Sequence, residues 1–426
     1  ATAVRSDANG AGPLAGGLVV LDAHSGHVLA LASAPTETAR PATGNTDTPE
    51  MKAFREAHQN YYHRARNGTP DETRKCNAAQ PTPEERANCI RWGLRAEPGP
   101  LSPQAQADLH RYVEGRTDVD LPRPEINRAL GKRYGLGSTF KVVVAAAYLR
   151  RPGTTAADPI DAPLVVRLGG KPINNSGKGL CPGTTAEGKI SLTQALAVSC
   201  NTAFVQLASK LGWKDIEETA RSFGFSLPRP EPEAEAEPGP AWLAGVAAGF
   251  DSVVPHDLAP TDIGNAVLGG DEVEGTPLQL ATVMAAVAND GVAVQPSLVT
   301  AVTNANGGAR RTITGETRKV LEPAQAEQLR QALSATAVAG TAVGLTAPAG
   351  SALWVKTGTH ELYGDGEVVP PRQFVLQIAW VVGAVDTGKG RVSFAVAVET
   401  HDEKAGAARV RWLAQQAIDK ITEVRG

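Results

Sequence analysis

The sequence predicts an α+β fold. It is an α/β sandwich in which an antiparallel sheet of about five strands is covered by helices and carries an inserted all-helical lobe. Three observations predict it. Strand-like segments open the chain, helical segments fill its middle, and strands return before one last amphipathic helix. With both ends β-prone, one sheet is closed by the two ends of the chain and the helices lie between them in sequence.

The first element is the segment "GGLVVLDAHSGHVLALAS". Two apolar, β-prone runs flank Asp22, Ser25 and Gly26, which suit a tight turn, so a hairpin is expected. From about 35 to 120 the chain is rich in Pro, Thr, Asn, Arg and Glu and lacks apolar periodicity. This gives the expected division: 1–40 supply N-terminal strands, 41–120 form a polar insert or lobe, and 121–426 complete the main domain. "YGLGSTFKVVVAAAYLRR" is a buried helix in waiting, with Lys141 on its first turn. "SLTQALAVSCNTAFVQLASKLG" reads as two helices with a break. Ser191 and Gln194 fit a capping box for the first, Asn201 or Thr202 can cap the second, and Gly212 ends it. The Pro- and Glu-rich stretch at 227–240 is a loop. Thr276, Pro277 and Asn289 to Gly291 mark the start and stop of another buried helix. "SALWVKTGT" is a strand, and "QFVLQIAWVVGAV" with "RVSFAVAVET" form a hairpin around "DTGKG". In the last segment Val410, Leu413, Ala417 and Ile421 recur at helical spacing, giving a helix with one face for the sheet.

Composition limits the function. The 426 residues are 42% hydrophobic, enough for one large domain or two ordinary ones, and the net charge is −3 without a long basic run. Nucleic acid is therefore not the expected partner. No run reaches the ~18 apolar residues of a membrane span, and no leader is visible; any N-terminal anchor is expected to be absent from this chain. Four cysteines are too few for a disulfide scaffold. Cys76 and Cys89 flank a short polar segment and either close a loop or stand unpaired. Cys181 and Cys200 are separate cases, and the sequence leaves their pairing open.

The chemistry starts from Ser138 and Lys141. Residues i and i+3 share a helix face, so the amine can reach the hydroxyl. A serine becomes a nucleophile when a base takes its proton, and a lysine serves as that base if burial and positive neighbours lower its pKa. Gly135 and Gly137 permit a tight approach to the helix, whose first N–H groups can hold an oxyanion. S-x-x-K alone is expected roughly once by chance in a chain of this length. Two further motifs change its meaning. "SCN", Ser199 to Asn201, falls at the helix break. "KTGT", Lys356 to Thr359, lies on a strand. Lys356 adds positive potential, Thr357 and Thr359 offer hydroxyls, and Gly358 lets a substrate backbone lie along the strand as an added edge.

S-x-x-K, S-x-N and K-T-G in this order are the signature of penicillin-binding proteins and class A β-lactamases. The opening hairpin, "INRAL", "SCNTAF" and "TPLQLA…ANDGV" also resemble segments of that family, over residues 15–35 and most of 125–400. The chain resembles the high-molecular-mass, class B-like transpeptidase domain. The resemblance implies the penicilloyl-serine transferase/β-lactamase-like fold and D,D-transpeptidation of peptidoglycan stem peptides.

Residue by residue, it implies Ser138 as nucleophile, Lys141 as base, Ser199 as proton relay and Asn201 as a ligand of Lys141 and of the donor peptide's amide. Lys356 tunes the field. Thr357 and Thr359 bind the terminal carboxylate of the donor or of a β-lactam, with Gly358 between them. The N–H groups of Ser138 and Thr359 form the oxyanion hole. No metal or organic cofactor is implied. The implied partners are a D-Ala-D-Ala donor, an amine acceptor, β-lactams and cell-wall synthesis proteins, at the extracytoplasmic face of a bacterial membrane.

Two positions depart from the family pattern. Leu136 stands where the family usually has Pro, and His360-Glu361 where it has Ala-Glu; His360 either binds substrate or adds a pH dependence beside the cleft, or is a solvated residue at a strand end. Alternatives are a D,D-carboxypeptidase or β-lactamase on the same scaffold, or a β-lactam sensor or scaffold domain without turnover. No glycosyltransferase signature is present.

Overall fold

The computed structural model of the chain describes residues 15–34, 127–168, 171–227, 252–270, 273–304, 311–313, 315–363, 374–400 and 403–425. The chain divides into two units, Ala1–Thr38 with Pro122–Gly426 and Ala39–Leu121. Every described residue belongs to the first. The expected insert at 41–120, with Cys76 and Cys89, lies outside the described residues, as does the loop at 227–240 beyond Leu227.

Five strands form the central sheet. They are β1 (Ala15–Asp22), β2 (Val28–Ala34) and, after a short pair β3 (Val165–Leu168) and β4 (Lys171–Asn174) elsewhere, β5 (Ala352–Tyr363), β6 (Phe374–Asp386) and β7 (Arg391–Thr400). The order is β5-β6-β7-β1-β2, and each neighbouring pair is antiparallel. The first strands of the chain therefore zip onto the last, with Leu18 opposite Val396. β5 is an edge strand.

Among the described residues, the longer helices are α1 (Lys141–Leu149), α2 (Leu192–Ala197), α3 (Asn201–Leu211), α4 (Trp213–Ser222), α5 (Pro277–Ala288), α6 (Pro323–Ala339) and α7 (Glu403–Arg425). β6 shows how the layers arise. Ile378, Trp380, Val382 and Ala384 join the core that holds α1, α2, α3 and α5, while Ala379, Val381 and Val385 join the core under α7. Successive strand residues face opposite sides, so a strand buried on both faces is apolar throughout. α5 is buried at every residue, with Thr276 accepting from the Gln279 N–H at its start. α7 instead buries the stripe Val410, Leu413, Ala414, Ile418 and Ile421.

The lobe between β2 and β5 is not all-helical. β3 pairs with β4, and Pro159–Asp161 pairs with Lys189–Ser191. Runs of three or four residues are too short for an alternating pattern to register in sequence. At α3 the expected cap also differs. Cys200 occupies the N-cap without capping, and the Thr202 N–H donates to Asn175 Oδ1 at 3.0 Å.

A partly buried ionic cluster fixes the approach to α1. Glu399 on β7 accepts from Arg128 Nε at 2.9 Å, Lys132 Nζ at 2.9 Å and Tyr134 OH at 2.7 Å. Burial raises the pKa of Glu399, but Lys132 and Arg128 outweigh it and hold the carboxyl below its usual range. Tyr134 meets Trp380 edge to face, and Trp380 Nε1 donates to the Gly135 carbonyl at 3.0 Å. The chain is thus pinned to the sheet three residues before Ser138.

Candidate active site

Ser138 lies in a single 3-10 turn, Gly137–Phe140, that runs directly into α1. The turn sits against β5 with almost no clearance. A Cβ on Gly137 (φ +51°) would stand 2.0 Å from the Thr359 carbonyl oxygen, and Gly137 N donates to Gly269 O at 2.9 Å. Only a residue without a side chain brings these backbones together. Gly358 serves the same contact from the strand side, because a Cβ there would meet Thr139 Cγ2 at 2.6 Å. The space that Gly358 frees is thus filled by the protein and not kept for a ligand. Any contact that Gly358 makes with substrate is left to its backbone.

Lys141 is fully buried at the start of α1. Four oxygens surround its Nζ: Ser138 Oγ at 2.9 Å, the Ser199 carbonyl at 2.9 Å, Ser199 Oγ at 3.1 Å and Asn201 Oδ1 at 2.6 Å. An ammonium has three protons for these four positions. Two of the oxygens, the carbonyl and the amide, can only accept. When Lys141 is neutral its two N–H groups suit those two, and its lone pair is left for a hydroxyl proton. Burial, and then the charge of Lys356, push the Lys141 pKa well below the usual lysine range.

Ser199 reaches this position through an unusual backbone. It sits between α2 and α3 with φ +58°, a left-handed conformation that non-glycine residues seldom adopt. The turn aims both its carbonyl and its hydroxyl at Lys141. Lys356, also fully buried, donates to Ser199 Oγ at 3.0 Å and to the Thr357 carbonyl at 2.7 Å. Ser199 Oγ therefore bridges two amines. Burial lowers Lys356 to about 7.

Along β5, Lys356, Gly358 and His360 share one face, while Thr357 and Thr359 share the other. Thr359 is exposed, and Thr357 Oγ1 lies 2.6 Å from Thr341 Oγ1. The His360 ring packs over Gly135, where a Cβ would come within 2.4 Å of it. It is half-buried in mid-strand, not solvated at a strand end. Packing on the segment that leads to Ser138 gives it a structural contact of its own. Ser138, Lys141, Ser199, Asn201 and Lys356 converge on one point, and Thr357 and Thr359 flank it on the edge strand.

Three features escaped the sequence. Cys200 is bonded to Cys181, which ties the middle residue of the second motif to the loop after β4. The separation of 19 residues carried no signal for that pairing. Asn175 holds α3 from the same loop, and Asn201 Nδ2 donates to the Asn174 carbonyl at 3.0 Å. Thr341, in the loop after α6, touches the third motif. A Thr after a Gly at a helix end has no chemical signature in sequence.

The family model of the penicillin-binding protein transpeptidase domain matches residues 16–418, and the chain belongs to that family. Among its relatives, the peptidoglycan D,D-transpeptidase PbpA of Mycolicibacterium smegmatis is 32% identical over 308 residues, 71% of this chain and 56% of that protein. The protein of the same name from Mycobacterium tuberculosis is 31% identical over 285 residues, 67% of this chain and 53% of that one. The chain thus spans about half the length of the curated relatives it matches. The crystal structure of PBPA from M. tuberculosis shares the fold, with TM-score 0.63 at 24% identity over 98% of this chain and 77% of that chain. A penicillin G acyl-enzyme complex of penicillin-binding protein A from M. tuberculosis gives TM-score 0.59 at 25% identity, covering 94% and 71% of the two chains.

Proposed function

We propose that this chain carries the catalytic domain of a D,D-transpeptidase that cross-links peptidoglycan through an acyl-enzyme on Ser138. The observation that carries the reading is the setting of Lys141: buried, depressed in pKa, and 2.9 Å from Ser138 Oγ, with two acceptor-only oxygens holding its N–H groups. The names of the relatives, peptidoglycan D,D-transpeptidases, supply the substrate class.

In this reading the stem peptide lies along the open edge of β5, with its terminal carboxylate at Thr357 and Thr359. Asn201 has one amide N–H left after Asn174, so it donates to a peptide carbonyl of the donor. Ser138 Oγ attacks the carbonyl carbon of the penultimate D-Ala, and its proton passes to Lys141 Nζ. The oxyanion is met by the N–H groups of Ser138 and Thr359. Collapse breaks the C–N bond, and the departing D-Ala amine takes a proton from Lys141 through Ser199 Oγ, which Lys356 polarises. An acceptor amine then attacks the ester. Its proton is removed by the same lysine, and Ser138 Oγ leaves and is reprotonated. A β-lactam follows the first half of this path, and its tethered leaving group stays in the site.

The Cys181–Cys200 bridge supports an oxidising location, as the extracytoplasmic face of a bacterial cell would provide. Cell-wall synthesis proteins would be its neighbours there. The test is intact-protein mass spectrometry after incubation with benzylpenicillin, with Ser138→Ala alongside. One adduct that persists for hours and is absent in Ser138→Ala is the expected result. Rapid return to the free mass with drug consumed indicates a hydrolase, and no adduct at all sinks the serine mechanism.

A further inference from the structure

One residue outside the three motifs joins the third motif to the helix that ends just before the second. The Thr341 N–H donates to the Ala197 carbonyl at 3.0 Å, at the end of α2 and two residues before Ser199. The Thr341 hydroxyl lies 2.6 Å from that of Thr357. The Thr341 carbonyl accepts from Arg411 Nη2, and the same guanidinium donates to the Val343 carbonyl at 3.0 Å. The preceding Gly340 lies so close to α2 that a Cβ there would stand 2.1 Å from the Ala197 oxygen. The backbone of Thr341 is therefore held by α2 on one side and α7 on the other, and only its hydroxyl is free to respond to the site.

We propose that Thr341 is a positioning residue that sets the hydroxyl of Thr357 for an anionic carboxylate, and so contributes to selection of substrates that carry one. This rests on the reading of Thr357 as a carboxylate ligand. Each hydroxyl has one proton and two lone pairs. Without ligand, Thr357 donates to Thr341. When a carboxylate arrives, the Thr357 proton turns to it, and Thr341 reverses and donates to Thr357 Oγ1. The pair then ends in a charge-assisted bond, and the Thr357 oxygen is never left without a donor. A valine at 341 would keep the volume and break the relay, and a serine would keep the relay.

The experiment compares acylation by benzylpenicillin, which has a free carboxylate, with acylation by its methyl ester. The readout is the acid-over-ester ratio of second-order rate constants, measured with the melting temperature. We expect the ratio to fall about fivefold in T341V, the loss of one hydrogen bond between two hydroxyls, and to stay near the parent value in T341S. T341A, which empties the position instead of refilling it, supplies the same readout if T341V does not fold. T357V separates the two ideas. If T357V loses the preference for the acid and T341V and T341A keep it, the role of Thr341 is overturned and that of Thr357 stands. If T357V itself keeps the preference, the carboxylate reading of Thr357 fails and the proposal fails with it. A fall in T341V that T341S does not restore reflects lost packing and overturns the relay.

Discussion

Lys141 and Lys356 are both buried amines with depressed pKa values, yet the proposed chemistry needs them in opposite states. Lys141 acts as base only when neutral, so acylation should rise as pH rises through its lowered pKa. Lys356 contributes its charge only when protonated, so acylation should fall as pH rises through about 7. The second-order rate constant for benzylpenicillin is expected to be bell-shaped in pH, a shape that reports groups of the free enzyme. In K356R the guanidinium stays charged, and the falling limb should disappear. A wild-type profile with a rising limb alone would rule out this division of labour. The Ser138–Lys141 pair was legible in sequence because it is local: three residues of helix place both groups together. Thr341 was not, since its neighbour Thr357 is 16 residues away and only the packing of two elements joins them.

Among the elements, α3 depends on a neighbour for its start. Its first residue, Asn201, turns its side chain to Lys141 and Asn174, so it cannot cap its own helix. Asn175, largely buried, takes over by accepting from both the N–H and the hydroxyl of Thr202 at 3.0 and 3.2 Å. Replacing Asn175 with alanine should cost about 1 kcal/mol of stability, as lost caps do, and should also slow acylation because Asn201 is the residue displaced. Asp at 175 keeps both acceptor bonds but loses the Asn175 Nδ2 donation to the Gly179 carbonyl at 3.1 Å, so it should recover only part of the lost stability. Denaturant melts and β-lactam acylation rates on N175A and N175D would show it, and equal stability of N175A and the parent would refute it. The expectation of Asn201 or Thr202 as cap was reasonable on propensity. It failed because the site uses Asn201 for another purpose, and such competition is visible only once α1 and α3 are brought together. The strands and α7 were readable for the opposite reason. Period-2 and period-3.6 patterns are written by the core, and Val410, Leu413, Ala417 and Ile421 are all buried.

At the scale of the molecule, placing two amines in the core carries a stability cost that depends on pH. For Lys356 the folded pKa is about 7, below the ordinary lysine value of about 10.4. Between these two values the unfolded chain binds more protons than the native one, so stability rises with pH in that window. Below it both states are protonated, and the full cost of burying the charge applies. Equilibrium unfolding of the parent and of K356M should therefore diverge from about pH 7 to about pH 10, with the parent gaining on the variant. Parallel curves would mean that Lys356 is not desolvated as described. The order of segments along the chain revealed the sheet, because both ends read as strands. It did not reveal that Glu399, near the end of β7, binds Arg128, Lys132 and Tyr134 at a separation of more than 260 residues. Charge pairs at that distance leave no period behind.

The left-handed turn at Ser199 bears on how this protein would respond to laboratory evolution. A glycine would occupy that turn without penalty, whereas serine costs about 1–2 kcal/mol there. A library sorted only for heat tolerance should therefore enrich S199G, and the winners would survive heating while losing the hydroxyl that links the two lysines. Selection for robustness and selection for the proposed acyl transfer pull this single codon in opposite directions.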